Sequence, residues 1–481
     1  MNFSNAIREE NRTTFTENGH KAYNTTANAC LDLFAVCGAL RKADPDRIST
    51  LFEAAYAENP LLATKIIFYT RDIRGGVGER DTFRSLLRTL VRNHPDTAKK
   101  NLKYVSEFGR WDDLYSLIGT SCENDMWTMV KAQLESDLEN MSHNKPVSLL
   151  AKWLKTADAS SEKTRKLGIY TAKKLGYDTA YWYKRHLRAL RKYIDIVEAK
   201  MSTNRWDEIN YETTPSNAMS KHLNAFITHD EDRYNKYIEN VSKGTAKINT
   251  TTLYPYDVLE QALRGKNSDA VQTLWDNLPN YVEPGSNVLI MADTSGSMSG
   301  RPMNIAVSLA IYFAERNIGP YHNLWMSFSY NPKFHELKGN TLYQKIKNLD
   351  KSDWEMNTDL NKALRKILDV AVKNHVSNNE MPKSLVIISD MEIDYAMHNK
   401  FLYDEITEDF NREGYTVPNI IFWNVESRHN TYLVNSSTNG VQLVSGASAS
   451  IFKQLMNMID KTPIECMEMF LNNPRYDCIT V

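Results

Sequence analysis

The chain has 481 residues, 42% hydrophobic and 24% charged, ordinary globular proportions that exclude disorder as the main state and allow two or three domains. No window approaches the roughly 18 unbroken apolar residues of a membrane-spanning helix, and the N-terminal MNFSNAIREENRTT lacks the apolar core of a signal peptide. The net charge of −1 argues against a uniformly basic nucleic-acid binder.

From the N-terminus to about residue 283 the hydrophobic period is helical. Residues 29–41 place Leu31, Phe34, Cys37 and Leu40, or apolar residues near them, at helical spacing. Similar amphipathic stretches follow at 46–58, 61–74, 79–93, 97–108, 124–141 and 181–201, separated by short turns with Gly, Pro or Asn. Strand-like alternation is scarce, and stacked helical pairs of this kind suggest a HEAT-type solenoid. The string RDIRGGVGERD (71–81) tempts a phosphate-loop reading, but it follows a helix and lacks the Gly-Lys-Ser/Thr ending. It predicts a tight interhelical turn. In FGRWDDL (108–114), Asp112 and Asp113 stand as helix-start residues and Trp111 as a packing anchor.

Residues 145–205 carry 15 Lys/Arg against 5 Asp/Glu, whereas the chain from Ser286 onward carries 18 against 22. Within the basic stretch, Tyr183, Leu187, Leu190 and Ile194 form a buried stripe. Lys184, Arg185, Arg188, Arg191 and Lys192 then fall largely on exposed sides, flanked by Trp182 and His186. Cations of this kind suit phosphates, and rings or guanidinium planes stack on unpaired bases.

After Pro284-Gly285 short apolar runs alternate with helices. Residues 287–292 (NVLIMA), 323–328, 384–389 (SLVIIS) and 419–425 read as buried strands, with helices at 303–317, 360–374 and 402–413. Such alternation predicts an α/β domain with a mainly parallel sheet, 287–292 lying beside 384–389. The predicted domains are therefore 1–285, all-helical, and 286–481, α/β. The first of these strands runs into Asp293-Thr-Ser295-Gly-Ser297, and SLVIIS ends in Asp390. Thr358 precedes a helix between them. Hydroxyl and carboxylate donors at strand ends suit a hard divalent cation, Mg²⁺ or Mn²⁺.

This trio of loops resembles the metal-ion-dependent adhesion site of von Willebrand factor A domains, over residues 286–481. The resemblance implies direct coordination by Ser295, Ser297 and Thr358, with Asp293 and Asp390 holding ligating waters. Such a cation keeps an open position for a partner's carboxylate. With RDIRGGVGERD, FGRWDDL, Arg191-Lys192-Tyr193 and Leu253-Tyr-Pro255-Tyr256 ahead of it, the chain is identified as a member of the family called domain of unknown function 2828. That family is similar in layout to TROVE-module proteins typified by the Ro autoantigen, in which a HEAT-like helical ring is closed by a von Willebrand A domain and small noncoding or single-stranded RNA is bound.

No His lies in the metal loops and no nucleophile–base pair is evident, so a non-enzymatic protein is expected. The leading expectation is a Ro-like RNA-binding protein with a basic helical face and a Mg²⁺-bearing A domain. The alternative is an assembly scaffold whose metal site grips an acidic residue of a partner protein. Five cysteines, an odd number without a C-x-x-C pair, point to free thiols and a cytoplasmic setting.

Overall fold

The run VLIMAD shows nothing polar until its last position, and it forms the central strand of a sheet covered on both faces. The computed structural model describes residues 3–265, 268–328, 331–349, 359–393 and 401–481. After the helix Phe3–Arg12 comes a short antiparallel hairpin, β1 (Thr13–Phe15) and β2 (Lys21–Tyr23). The large sheet follows with β3 (Val288–Asp293), β4 (Leu324–Phe328), β5 (Lys333–Glu336), β6 (Ser384–Ser389), β7 (Asn419–Asn424) and β8 (Val441–Ser445).

Its spatial order is β5-β4-β3-β6-β7-β8, parallel except for the β4–β5 edge pair. Counted within the sheet, that is the 3-2-1-4-5-6 order of Rossmann-like folds, whose switch point lies between β3 and β6. Val288 pairs with Ser384 and Ala292 with Ile388, so the two strands end side by side. The N-terminal part is rich in helix and the C-terminal part carries the mostly parallel sheet, the fold class that the sequence predicts. No helix among the described residues is long and apolar enough to cross a membrane.

Two compact units divide the chain on a different line from residue 285. One joins Met1–Thr82 to Thr250–Cys478, and the other joins Phe83–Asn249 to Ile479–Val481. The reason is that the first helices share the sheet's core. Helix Ala29–Val36 is buried around almost its whole circumference. Just beyond it, the Gly38 amide donates to Ser445 Oγ at 2.9 Å, and a Cβ on Gly38 would stand 2.6 Å from the Ser445 carbonyl oxygen. Buried Asp72 accepts two bonds from the Arg475 guanidinium and one from the Tyr476 hydroxyl. The expected all-helical region 1–285 thus carries a small β1–β2 sheet near its start, and the expected boundary at 285 sets off the large sheet but does not separate the cores.

The Gly-rich string is the interhelical turn its context predicts. Gly78 adopts φ +73°, and a Cβ on Gly76 would meet the Tyr69 carbonyl oxygen at 2.2 Å. The Tyr254 hydroxyl donates to the Val77 carbonyl at 3.3 Å, so two of the sequence strings meet here. In the second unit, buried Asp113 caps its own turn by accepting from the Arg110 amide at 2.9 Å and from Arg84 Nε at 2.7 Å. The expected helix 181–201 is broken: Ala180–Tyr193 ends before Asp195, whose φ of +53° is left-handed, and Val197–Ser202 starts afresh.

Candidate functional site

Among the described residues two places carry chemistry, and each lies within one unit. The first sits where β3 and β6 release the chain. Asp293 and Asp390 are both buried, as are Thr294 and Ser295. The Asp293 carboxylate accepts from the Ser295 amide at 2.9 Å and from the Ser389 hydroxyl at 2.6 Å. Ser295 Oγ and Ser297 Oγ lie 3.0 Å apart, which places both hydroxyls at one point of the turn. Asp390 Oδ1 accepts from the Glu392 amide at 3.2 Å. Its Oδ2 is buried and meets the Arg428 guanidinium at 3.2 Å, and the buried Thr294 hydroxyl makes no hydrogen bond.

Electrostatics favour a cation at this position. Burial first, and then the nearby Asp390 charge, raises the Asp293 pKa above the usual carboxylate range, against the pull of Ser389 and Ser295. Burial likewise raises Asp390, opposed by the Glu392 amide, Arg428 and Ser297. Two buried carboxylates that resist being charged together are the expected partners of a divalent ion. The donor set, two carboxylates and two hydroxyls gathered on adjacent strand ends, fits a hard, oxygen-seeking metal. Four of the five predicted metal residues, Asp293, Ser295, Ser297 and Asp390, stand on the two adjacent strand ends. Thr358 lies outside the described residues.

Charged side chains that no sequence motif announces surround this centre. Arg428 Nη2 stands 3.2 Å from Asp390 Oδ2 and donates to the Ser297 carbonyl. Glu17, Glu392 and His429 bring their ligand-type atoms within 4.8 Å of one another. Glu392 Oε2 accepts from the Glu17 amide at 2.7 Å, and Oε1 faces His429 Nδ1 at 3.1 Å. Nothing local in the sequence links residues 17, 392 and 429: Glu392 and His429 follow the paired strands β6 and β7, and the hairpin brings in Glu17.

The second place is the basic helix Ala180–Tyr193. Tyr183, Leu187 and Leu190 are buried as predicted, and Ile194 is half-buried beyond the last turn. Arg185, Arg188 and Lys192 are exposed and Lys184 is half-buried. Lys184 and Arg188 lie 3.7 and 3.5 Å from Asp158. Arg191 departs from its expected exposed position. It turns inward, donating from Nε to Ala151 O and from Nη2 to Leu154 O, both at 2.8 Å, and burial lowers its pKa. Those carbonyls end the short helix Leu150–Trp153, so Arg191 acts as a C-terminal cap in three dimensions. His186 is engaged by the Tyr177 hydroxyl at 2.7 Å. Tyr181 and Trp182 are 60% and 50% exposed, and the Arg185 guanidinium lies 5.2 Å from the Trp182 ring centroid.

A helix-rich region followed by a mostly parallel sheet in Rossmann-like order, with hydroxyls and carboxylates gathered at its switch point, defines a helical-plus-α/β class of protein. The family model described as "Domain of unknown function (DUF2828)" matches residues 16–166 and 128–283, more than half of the chain. The protein belongs to that family. A second model, "Domain of unknown function (DUF7788)", matches residues 287–470 and so spans the sheet. "Uncharacterized protein L728" of Acanthamoeba polyphaga mimivirus is 28% identical over 509 residues, 96% of this chain and 88% of that protein. Among solved structures, the Deinococcus radiodurans Ro (RSR) protein is similar at 15% identity and a TM-score of 0.45, covering 89% of this chain and 93% of that one.

Proposed function

We propose that the protein binds single-stranded or small noncoding RNA through the basic helix Ala180–Tyr193, holds Mg²⁺ or Mn²⁺ at the β3–β6 switch point, and catalyses no reaction. The observation that supports the RNA reading most is the pairing of charge with uncovered rings. Tyr181 and Trp182 stand in solvent beside Arg185 on the same helix as Arg188 and Lys192. A merely solvated helix face needs the cations but not the rings, whereas unpaired bases use both. Cations anchor phosphates without reading sequence, so broad RNA preference is expected. Five free thiols fit a reducing, cytoplasmic setting for such a protein.

The test is anisotropy binding to an unstructured RNA and to a blunt duplex of equal length, with wild type and with Tyr181→Ala/Trp182→Ala. The proposal expects tighter binding of the single strand, and loss of that preference in the double variant. Equal binding of both RNAs by both proteins would contradict it.

At the switch point, Ser295 and Ser297 would hold the cation directly and Asp293 and Asp390 would support it, with Thr358 as a further ligand. Neutral hydroxyl donors leave the ion positive enough to attract an external carboxylate. That donor set favours a second reading, an assembly scaffold gripping an acidic residue of a partner. Retention of an acidic partner on wild type but not on Asp293→Asn, by a protein that binds no RNA, would select it.

A further inference from the structure

The Arg428 guanidinium touches more acidic groups than its one charge can neutralise. It stands 3.2 Å from Asp390 Oδ2, 3.7 Å from Glu426 Oε2 and 3.6 Å from Glu17 Oε2, and donates to the Ser297 carbonyl. Asp390 is buried while Glu17 is half in solvent, so the tightest contact goes to the carboxylate that water cannot serve.

The backbone carrying Arg428 is clamped on both sides. Arg47 donates to the Ser427 carbonyl at 2.8 Å, to the His429 carbonyl at 2.6 Å and to Asn430 Oδ1 at 2.8 Å. The guanidinium can therefore change partners while its Cα stays in place. The Glu17 and Glu426 contacts need to close by less than about 1 Å to become charge-assisted hydrogen bonds.

Glu17 lies in the turn between β1 and β2, and that turn is fastened just beyond Asp390. Thr16 Oγ1 donates to the Ile393 carbonyl at 2.5 Å, the Glu17 amide to Glu392 Oε2 at 2.7 Å and Asn18 Nδ2 to the Glu392 carbonyl at 2.8 Å. The hairpin is thus wired to the same loop that offers Asp390.

We propose that Arg428 is the internal counter-cation of the switch-point site: it neutralises Asp390 until a divalent cation takes over that carboxylate, and then transfers to Glu17 and Glu426, which couples metal loading to the N-terminal hairpin. The inference rests on the metal-site reading above. Two cations on one buried carboxylate repel, so Arg428 weakens metal binding while it holds Asp390. Loading then strengthens its grip on the hairpin turn.

Calorimetry with Mn²⁺ on wild type, Arg428→Gln, Arg428→Lys and Lys42→Gln tests the idea. Lys42 pairs with Glu426 at 2.8 Å without an ion pair to Asp390, so its variant controls for charge in general. Arg428→Gln should bind Mn²⁺ about tenfold more tightly than wild type, with Arg428→Lys and Lys42→Gln within about twofold of it. Hydrogen exchange on wild type needs no variant: Mn²⁺ should slow exchange of the 16–20 amides. Unchanged or weaker affinity in folded Arg428→Gln, or hairpin exchange indifferent to Mn²⁺ in a wild type that binds it, overturns the coupling and leaves the metal site standing. A wild type that binds no Mn²⁺ overturns both.

Discussion

Replacing Arg191 by methionine separates a structural arginine from a solvent-facing one on the same helix. The guanidinium makes two 2.8 Å bonds to the carbonyls of Ala151 and Leu154, and methionine keeps much of the apolar stem while removing both donors. Hydrogen bonds to charged groups contribute about 1.5–3 kcal/mol each. Two such bonds, each taken at the low end of that range, come to about 3 kcal/mol. At a urea slope of about 2 kcal/mol/M the unfolding midpoint should fall by about 1.5 M. Arg188→Met is the internal control: that side chain is 77% exposed and meets only half-exposed Asp158 at 3.5 Å. Its loss should cost under about 0.5 kcal/mol. Circular dichroism in urea measures both. Coincident midpoints for the two variants would refute the assignment of Arg191 as a cap.

Glu123 gives a pH prediction. Burial opposes its charge, but the Tyr170 hydroxyl, the Gly119 amide, Lys174 and the Trp127 indole outweigh burial and lower its pKa to about 2. The stability this contributes is therefore complete above the ordinary value of 4.5 and is lost as pH falls toward 2. Glu123→Gln should be less stable than wild type at pH 7 and converge with it near pH 2; parallel midpoints across that range would contradict the linkage. Gly78→Ala forces a side chain to φ +73° and onto the Tyr254 hydroxyl, so it should destabilise by at least about 2 kcal/mol in thermal melts. Asp293→Asn should weaken Mn²⁺ binding at least about tenfold with an unchanged far-ultraviolet spectrum, and unchanged calorimetric affinity would refute the site.

The sheet was legible because β3, β6 and β7 are buried on nearly every position, so their apolar runs are continuous. The edge strand β5 was not, since KFHE is mostly exposed and reads as loop. β8 hid behind Gln442, a buried amide that donates to the Leu455 and Met458 carbonyls at 3.1 and 2.7 Å. The helix break at Asp195 left no Gly or Pro to announce it. Asp293, Ser295, Ser297 and Asp390 were readable because strand ends converge by topology. Arg428 and Glu17 were not, because the contact spans most of the chain. Helical periodicity placed Tyr183, Leu187 and Leu190 correctly. It misjudged Arg191, because a long side chain can leave its own face to find unsatisfied carbonyls.

The central claim is RNA affinity carried by the solvent-facing cations of the basic helix. It is tested most directly by measuring binding across a salt series for wild type and for Arg185→Glu/Arg188→Glu/Lys192→Glu. Each phosphate contact contributes about 0.7 to the slope of log affinity against log salt for a single strand, so removing three should flatten the slope by about 2. The loss should be similar for unrelated RNA sequences, with folding retained because the buried stripe is untouched. A folded triple variant with wild-type affinity and slope, or a wild type that binds no RNA at low salt, would contradict the account.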